Sequence, residues 1–206
     1  MLPLFKSHYS IGKSILTLKD PSKCTENGSD SVFKIAVENN LDKIILVEDS
    51  LVGFFEAYRM SKQLGIQLIF GLRLSMRNSD QDEDVSSDHK IVIFSKNNEG
   101  CKLLNKIYSK AFTSFDGFLT YESLKEMWNE DCLKFAVPFY DSFIHVNNFG
   151  FGNTVPEIKF FNPTFFLEDN GLAFDPLLAD LVKDKANNIY NSPIQKVKSI
   201  YYKDKK

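Results

Sequence analysis

The sequence predicts an α/β fold in which a mostly parallel sheet has helices outside it. Strand-like and helix-like segments alternate through the first half of the chain, a pattern typical of βαβ units. Residues 43–47 (KIILV) form a short, largely apolar run, which favours a strand that is buried on both faces. The chain has 206 residues, of which 43% are hydrophobic. This length supports a substantial core, so we predict one domain over residues 1–206.

The elements of the first half follow from local patterns. Apolar residues at helical spacing behind a Ser/Asp cap predict a helix over 30–39, and a second amphipathic helix over 52–64 ends at Gly65. Short apolar runs predict the strands that alternate with these helices. Those strands lie at 2–9, 43–47 and 66–74.

The second half contains fewer regular patterns. We predict a flexible acidic loop over 78–89, because this segment is polar and lacks the spacing and glycine of a calcium-binding loop. Residues 143–169 are rich in Phe, Asn and Pro and predict short strands and turns. The other predicted elements are strands at 90–95 and 133–138 and helices at 99–111, 121–128 and 175–187.

Composition argues against several classes of protein. Lys and Arg number 25 against 27 Asp and Glu, and a net charge of -2 argues against a strongly basic nucleic-acid-binding surface. The three cysteines lack a C-x-x-C pair, so we interpret them as free thiols in a reducing compartment. No apolar run approaches the ~20 residues of a membrane span, and we expect a cytoplasmic protein without membrane contact. Phosphate-loop, dinucleotide-binding, nucleophile-elbow and zincin motifs are absent from the sequence.

Three groups of residues are candidates for chemistry. His8 stands between two hydroxyls near the end of the first strand, where a base is one interpretation, although the sequence offers no acidic residue to orient it. Glu48 and Asp49 follow a buried strand and either bind magnesium, act as acid and base, or cap the next helix. Asp141 and His145 are spaced as a metal pair on one helical face, although their neighbours favour strand and turn.

The chain also contains 19 Phe. Phenylalanine pairs at 139–143, 160–161 and 165–166 belong either to the core or to a docking surface, and a base-stacking platform is a further alternative.

The order of four segments resembles the polymerase and histidinol phosphatase (PHP) domain, as found at the N-terminus of the bacterial DNA polymerase III alpha subunit. The segments are LFKSHYS at 4–10, KIILVEDS at 43–50, GFFEAYRMSKQLGIQLIFGLRL at 53–74 and KIVIFSKNNEGCKLLNKIYSKA at 90–111. VKSIYY at 197–202 is similar to the closing strand of that family, whereas 115–191 is divergent. The resemblance implies a distorted (β/α)7 barrel with mostly parallel strands.

Members with intact sites bind up to three metal ions and hydrolyse phosphoesters, but this sequence departs from their ligand pattern. Histidines of the first strand align with Leu4 and Lys6, and the T-D-H motif aligns with Val47-Glu48-Asp49. A bridging glutamate aligns with Arg73. The vestigial-site positions are therefore Leu4, Lys6, Glu48, Asp49, Arg73, Ser199 and Tyr201. We predict that Lys6 and Arg73 pair with Glu48 and Asp49 in place of metal.

The resemblance implies a catalytically degenerate PHP domain with a structural and docking role in DNA replication. Its expected partners are a polymerase body or other replication proteins, including a proofreading exonuclease, with indirect or weak contact to DNA. The parent protein would be a DNA-directed DNA polymerase, and this domain would need no cofactor. The alternative is an active phosphoesterase that holds Zn, Mn or Mg through His8, Glu48, Asp49, Asp141 and His145.

Overall fold

The structure is a computed structural model, and it describes residues 1–10, 13–25, 28–77, 88–114 and 116–203. The chain forms two compact units. Unit 1 comprises Met1–Leu72 and Lys198–Lys206, and unit 2 comprises Arg73–Val197. The greater part of the predicted acidic loop, residues 78–87, lies outside the described residues.

Eight strands form one mixed sheet. They are β1 (Leu2–Phe5), β2 (Lys43–Glu48), β3 (Gln67–Arg77), β4 (His89–Ser95), β5 (Phe118–Thr120), β6 (Leu133–Val137), β7 (Thr164–Leu167) and β8 (Ile194–Ile200). The hydrogen-bonding order is β2-β1-β8-β7-β6-β4-β3-β5, and β2 also pairs with β3. Seven strands therefore close into a ring, with β5 added beside β3, and the predicted α/β class and barrel topology are confirmed.

Parallel pairing predominates among the strand pairs with a defined register. The pairs β1–β2, β2–β3, β3–β5, β6–β7 and β7–β8 are parallel, and β4–β6 is antiparallel. Parallel neighbours require crossover connections, which is why helices alternate with these strands. The helices are α1 (Val32–Glu38), α2 (Phe54–Leu64), α3 (Asn98–Ser114), α4 (Tyr121–Glu126), α5 (Phe143–Phe149) and α6 (Asp175–Asp184).

The helices of unit 1 begin and end at residues that the sequence marks clearly. The Ser31 hydroxyl accepts a hydrogen bond from the Phe33 amide at 3.1 Å and caps α1. Gly65 ends α2 with φ of 68°, a left-handed conformation that glycine adopts without steric cost. Val32, Phe33 and Ala36 of α1 and Ala57 and Met60 of α2 are buried, so one side of each helix belongs to the core of the unit.

Unit 2 is built around clustered aromatic rings. Phe161 stacks on Phe135 with ring centroids 5.1 Å apart, and Trp128 meets Phe161 edge-on at 5.0 Å. Phe139 and Phe165 are also fully buried. The phenylalanine pairs considered as docking surfaces are therefore mostly core, with Phe143, Phe161 and Phe166 buried as well and Phe160 exposed.

Several predicted elements differ from the observed ones, and β3 and α3 each extend three residues beyond their predicted ends, to Arg77 and Ser114. The first strand ends at Phe5 rather than at residue 9, and the helix predicted over 121–128 ends at Glu126. The last helix ends at Asp184 and continues as a π-helical turn over Lys185–Tyr190. Phe143–Phe149 is a helix rather than strand and turn, because Ser142 caps it and its apolar residues Phe143 and Ile144 are buried.

Within the described ranges, none of the helices has the length and apolarity needed to cross a bilayer.

Candidate functional site

Two carboxylates and one ammonium group meet at the carboxyl ends of β1 and β2. Glu48 is the last residue of β2 and Asp49 follows it, while Lys6 follows the last residue of β1. The two strands are parallel, with Phe5 opposite Leu46. Because parallel neighbours end at the same edge of a sheet, the strands bring these three side chains together.

Glu48 is completely buried, and hydrogen bonds engage both of its carboxylate oxygens. The Ser7 amide donates to Oε1 at 2.7 Å, and the Ser10 hydroxyl donates to Oε2. The Asp49 amide donates in turn to the Ser10 hydroxyl at 3.3 Å. Through these hydrogen bonds, Glu48 connects the loop after β1 to the end of β2. The helix-capping alternative for Glu48 and Asp49 is wrong for α2, which begins after Gly53 without a side-chain cap.

Burial raises the pKa of Glu48 above its ordinary value of 4.5, although the hydrogen bonds from Ser10 and Ser7 and the charge of Lys6 oppose the shift. The folded protein therefore holds this proton more tightly than the unfolded chain does. The contribution of Glu48 to stability is greatest below the unfolded pKa and falls as the pH rises through the folded pKa.

We expect Glu48→Gln to remove this pH dependence. Urea unfolding of both proteins from just below pH 4.5 up to neutral pH measures it. The free energy of unfolding of the wild type, relative to that of the variant, should fall as the pH rises. A relative gain over the same range would show that the pKa of Glu48 is lowered on folding.

Asp49 lies between two lysine ammonium groups. Lys6 Nζ is 3.4 Å from Oδ1, and Lys13 Nζ is 3.3 Å from Oδ2. The Lys6 side chain is only 7% exposed, whereas that of Lys13 is 40% exposed. The predicted pairing of Lys6 with Asp49 is observed. Because the Lys6 side chain is buried and that of Asp49 is 30% exposed, solvent screens this pair less than it screens a fully exposed ion pair.

The other positions of unit 1 that the resemblance indicated lie on the strands beside this pair. Leu4 is buried in β1. The Lys6 amide donates to the Ile200 carbonyl at 3.1 Å, which sets the end of β8 next to β1. Ser199 lies in β8, and the Tyr201 carbonyl just after it accepts a hydrogen bond from the Ser14 hydroxyl at 2.8 Å. Together with Glu48 and Asp49, these positions lie on or directly after the neighbouring strands β2, β1 and β8.

Arg73 belongs to unit 2, and the ion pair described for it joins it to Asp141. The guanidinium is buried, whereas the Asp141 side chain is 53% exposed. Glu48 and Asp49 were the partners expected for this arginine. In the pair with Asp141, the carboxylate comes from a left-handed position with φ of 58°, directly before the cap of α5.

The surroundings of the three histidines differ from those of a pair of metal ligands. His145 lies in α5, and its ring packs near Phe149 and Phe174 at centroid distances of 5.4 and 5.9 Å. His8 is exposed, with Nδ1 3.3 Å from the Leu16 carbonyl. His89 is buried against the Tyr121 hydroxyl, with 2.6 Å between Nε2 and the oxygen. Asp141, which the sequence spaces as the partner of His145 in a metal pair, contacts Arg73.

Sequence reasoning missed the groups that hold the two carboxylates. Ser7 and Ser10 belong to the LFKSHYS segment that carries the resemblance, where no pattern assigns them a role, and Lys13 lies outside that segment. The Tyr9 hydroxyl donates to Glu56 at 2.8 Å, a further contact between the first loop and α2. The S-x-Y-S spacing at 7–10 was the one available signal, since it sets three hydroxyl groups on the loop after β1.

As placed, these residues do not fit a multi-metal centre. Such a centre needs several carboxylates and imidazoles that share cations. Here both Glu48 oxygens accept hydrogen bonds, both Asp49 oxygens face ammonium groups, and Lys6 has no lone pair to offer. In the described part of the chain, no group of three or more His, Cys, Asp or Glu side chains is arranged to hold a metal ion.

A family model for the PHP domain matches residues 22–155, nearly two thirds of the chain. The match includes Glu48, Asp49 and Arg73, while Leu4, Lys6, Ser199 and Tyr201 lie outside it. A search of curated proteins returned no match.

Proposed function

The chain belongs to the PHP domain family, and on that premise we propose that it is a catalytically degenerate PHP domain with a structural and docking role in DNA replication. Its parent would be a replicative DNA polymerase III alpha subunit of bacterial or phage type. Its partners would be the polymerase body, other replication proteins and a proofreading exonuclease. Contact with DNA would be indirect or weak, and the protein would act in the cytoplasm without a cofactor.

The observation that supports this proposal is the contact of the buried Lys6 ammonium with the partly exposed Asp49. The resemblance sets Lys6 where a histidine ligand would stand, and a lysine ammonium repels a cation instead of ligating it. Charge-assisted contacts then join the strand ends that shared cations would otherwise hold. Loss of the metal leaves the barrel intact, so the fold remains available for docking.

A metal and activity assay tests the degenerate site. Protein purified and refolded with excess zinc and manganese should retain less than one ion per chain after desalting, as measured by plasma emission spectrometry. It should also leave a generic phosphodiester intact with zinc, manganese or magnesium. An intact PHP phosphoesterase serves as the positive control.

Two or more ions held stoichiometrically would overturn the degenerate site. Hydrolysis that Asp49→Ala abolishes would instead support the alternative, a phosphoesterase with relocated ligands among His8, Glu48, Asp49, Asp141 and His145. In that case Lys6→Ala should raise the activity, because it removes the competing cation.

The docking role is tested by gel filtration with the purified polymerase body encoded in the same genome. We expect the chain and the body to elute together, and a DNA polymerase of an unrelated family serves as the control. Separate elution at micromolar concentrations would contradict the role in a polymerase assembly.

A further inference from the structure

We propose that the outer face of α2 is a docking surface for an acidic amphipathic helix of a protein partner. We define the α2 face by Val52, in the turn before the helix, together with Phe55, Tyr58, Arg59 and Lys62. The inference rests on the proposed docking role, and it names the surface and the chemistry of the partner.

The α2 face exposes large apolar side chains side by side. Val52 is 69% exposed, Phe55 72% and Tyr58 44%. They recur at intervals of three residues, so they follow one side of the helix, while Ala57 and Met60 are buried on the other side. Aromatic residues and arginine are the types enriched where protein interfaces derive most of their binding energy. The composition of this face is therefore that of an interface.

The charge of the α2 face is positive and is not neutralised within the helix. Arg59 and Lys62 are exposed, and neither forms an ion pair among the described residues. Glu56 is the only acidic residue of α2, and it accepts the hydrogen bond from the Tyr9 hydroxyl. Asp20, beside the end of the helix, accepts hydrogen bonds from Ser22 and Gln63. A partner that complements this face must supply carboxylates of its own.

The contacts of the rings favour a protein over a nucleic acid. A base-stacking platform needs several free ring faces. The Tyr58 ring already stacks against Phe54 with centroids 6.1 Å apart, and Lys62 Nζ lies 5.5 Å from its centre. Phe55 is left as the one well-exposed ring of α2. An apolar stripe with three-residue spacing instead matches the side chains of a second helix laid along α2.

The test uses a fluorescein-labelled helical peptide about three heptads long, with Leu at the a and d positions and Glu at e and g. Fluorescence anisotropy of the full chain should show binding, and Phe55→Ala combined with Arg59→Glu should weaken the affinity by about tenfold or more. The same peptide with Lys in place of Glu should bind at least tenfold more weakly to the wild type. Oligothymidylate is the nucleic-acid probe, and it should bind no better than the Lys peptide.

The matched control is Phe112→Ala combined with Lys106→Glu, which removes an exposed ring and reverses an exposed charge on α3. It should leave peptide binding unchanged. Circular dichroism checks the folding of each variant, and Arg59→Glu with Lys62→Glu replaces the first variant if Phe55→Ala unfolds the protein.

The proposal is overturned if the wild type does not bind the acidic peptide, or if the control and the α2 variants bind it equally. Binding of oligothymidylate that Arg59→Glu abolishes would make the α2 face a nucleic-acid surface instead.

Coelution with the polymerase body separates this inference from the proposed function. If the polymerase body coelutes with the α2 variant as it does with the wild type, the docking role stands and the assignment of docking to the α2 face is wrong. If the peptide binds and the body does not coelute, the surface stands and the replication partner is wrong.

Discussion

Replacement of Glu48 by alanine is expected to destabilise the folded protein by about 3 kcal/mol. The change leaves the Ser7 amide and the Ser10 hydroxyl without their acceptor in a buried site, and unsatisfied buried groups of this kind cost roughly 1–3 kcal/mol each. It also removes one of the carboxyl groups whose charge interacts with Lys6. Thermal unfolding followed by circular dichroism should show a Tm lower by about 6–12 °C.

Two variants make the Glu48 result specific. Glu48→Gln keeps an oxygen for the Ser7 amide and a donor for the Ser10 hydroxyl, so its loss should be much smaller. Glu126→Ala removes an exposed glutamate whose Oε2 lies 3.0 Å from Lys110 Nζ. This variant should change the free energy of unfolding by at most about 1 kcal/mol. Unchanged stability of Glu48→Ala would show that this carboxylate does not hold the strand ends together. Increased stability would point to a carboxylate kept for chemistry at the expense of the fold.

Replacement of Phe161 by alanine is expected to cost about 3–5 kcal/mol. The ring is 1% exposed and contacts Phe135 and Trp128, so its loss opens a cavity in the aromatic core of unit 2. Urea unfolding followed by circular dichroism measures the change in the free energy of unfolding. Tryptophan fluorescence is unsuitable here, because the single tryptophan, Trp128, contacts Phe161 and its fluorescence would respond to the cavity itself.

The neighbouring Phe160 is the matched control. It is 57% exposed, with Lys125 Nζ 5.7 Å from the ring centre. Phe160→Ala should change stability by at most about 1 kcal/mol. Equal losses for the two variants would contradict the division of this pair into one core residue and one surface residue.

Three of the strands were predicted closely from the sequence. The run predicted at 43–47 is observed as Lys43–Glu48, and those predicted at 90–95 and 133–138 are observed as His89–Ser95 and Leu133–Val137. Each of these segments is apolar enough to be buried, and that signal is local. The barrel topology came from the resemblance, because no local pattern determines which strands become neighbours.

Helix α5 shows where local patterns were insufficient. Two asparagines and two β-branched residues lower its helix propensity, and the sequence favoured strand and turn over Phe143–Phe149. The Ser142 cap and the burial of Phe143 and Ile144 outweigh that preference. Burial depends on what packs against the segment, which only the folded chain supplies.

The sequence by itself determined the chemical character of the candidate site. It set a lysine and an arginine where the family resemblance places metal ligands, and it set Glu48 and Asp49 at the end of a buried strand. The tertiary structure decided the partners. Lys6 and Asp49, which follow the parallel neighbouring strands β1 and β2, pair with each other. Arg73 pairs with Asp141, 68 positions away in the chain. Residue types are local and can be taken from the sequence, but an ion pair forms between the charges that folding brings within a few ångströms, and sequence distance does not determine which charges those are.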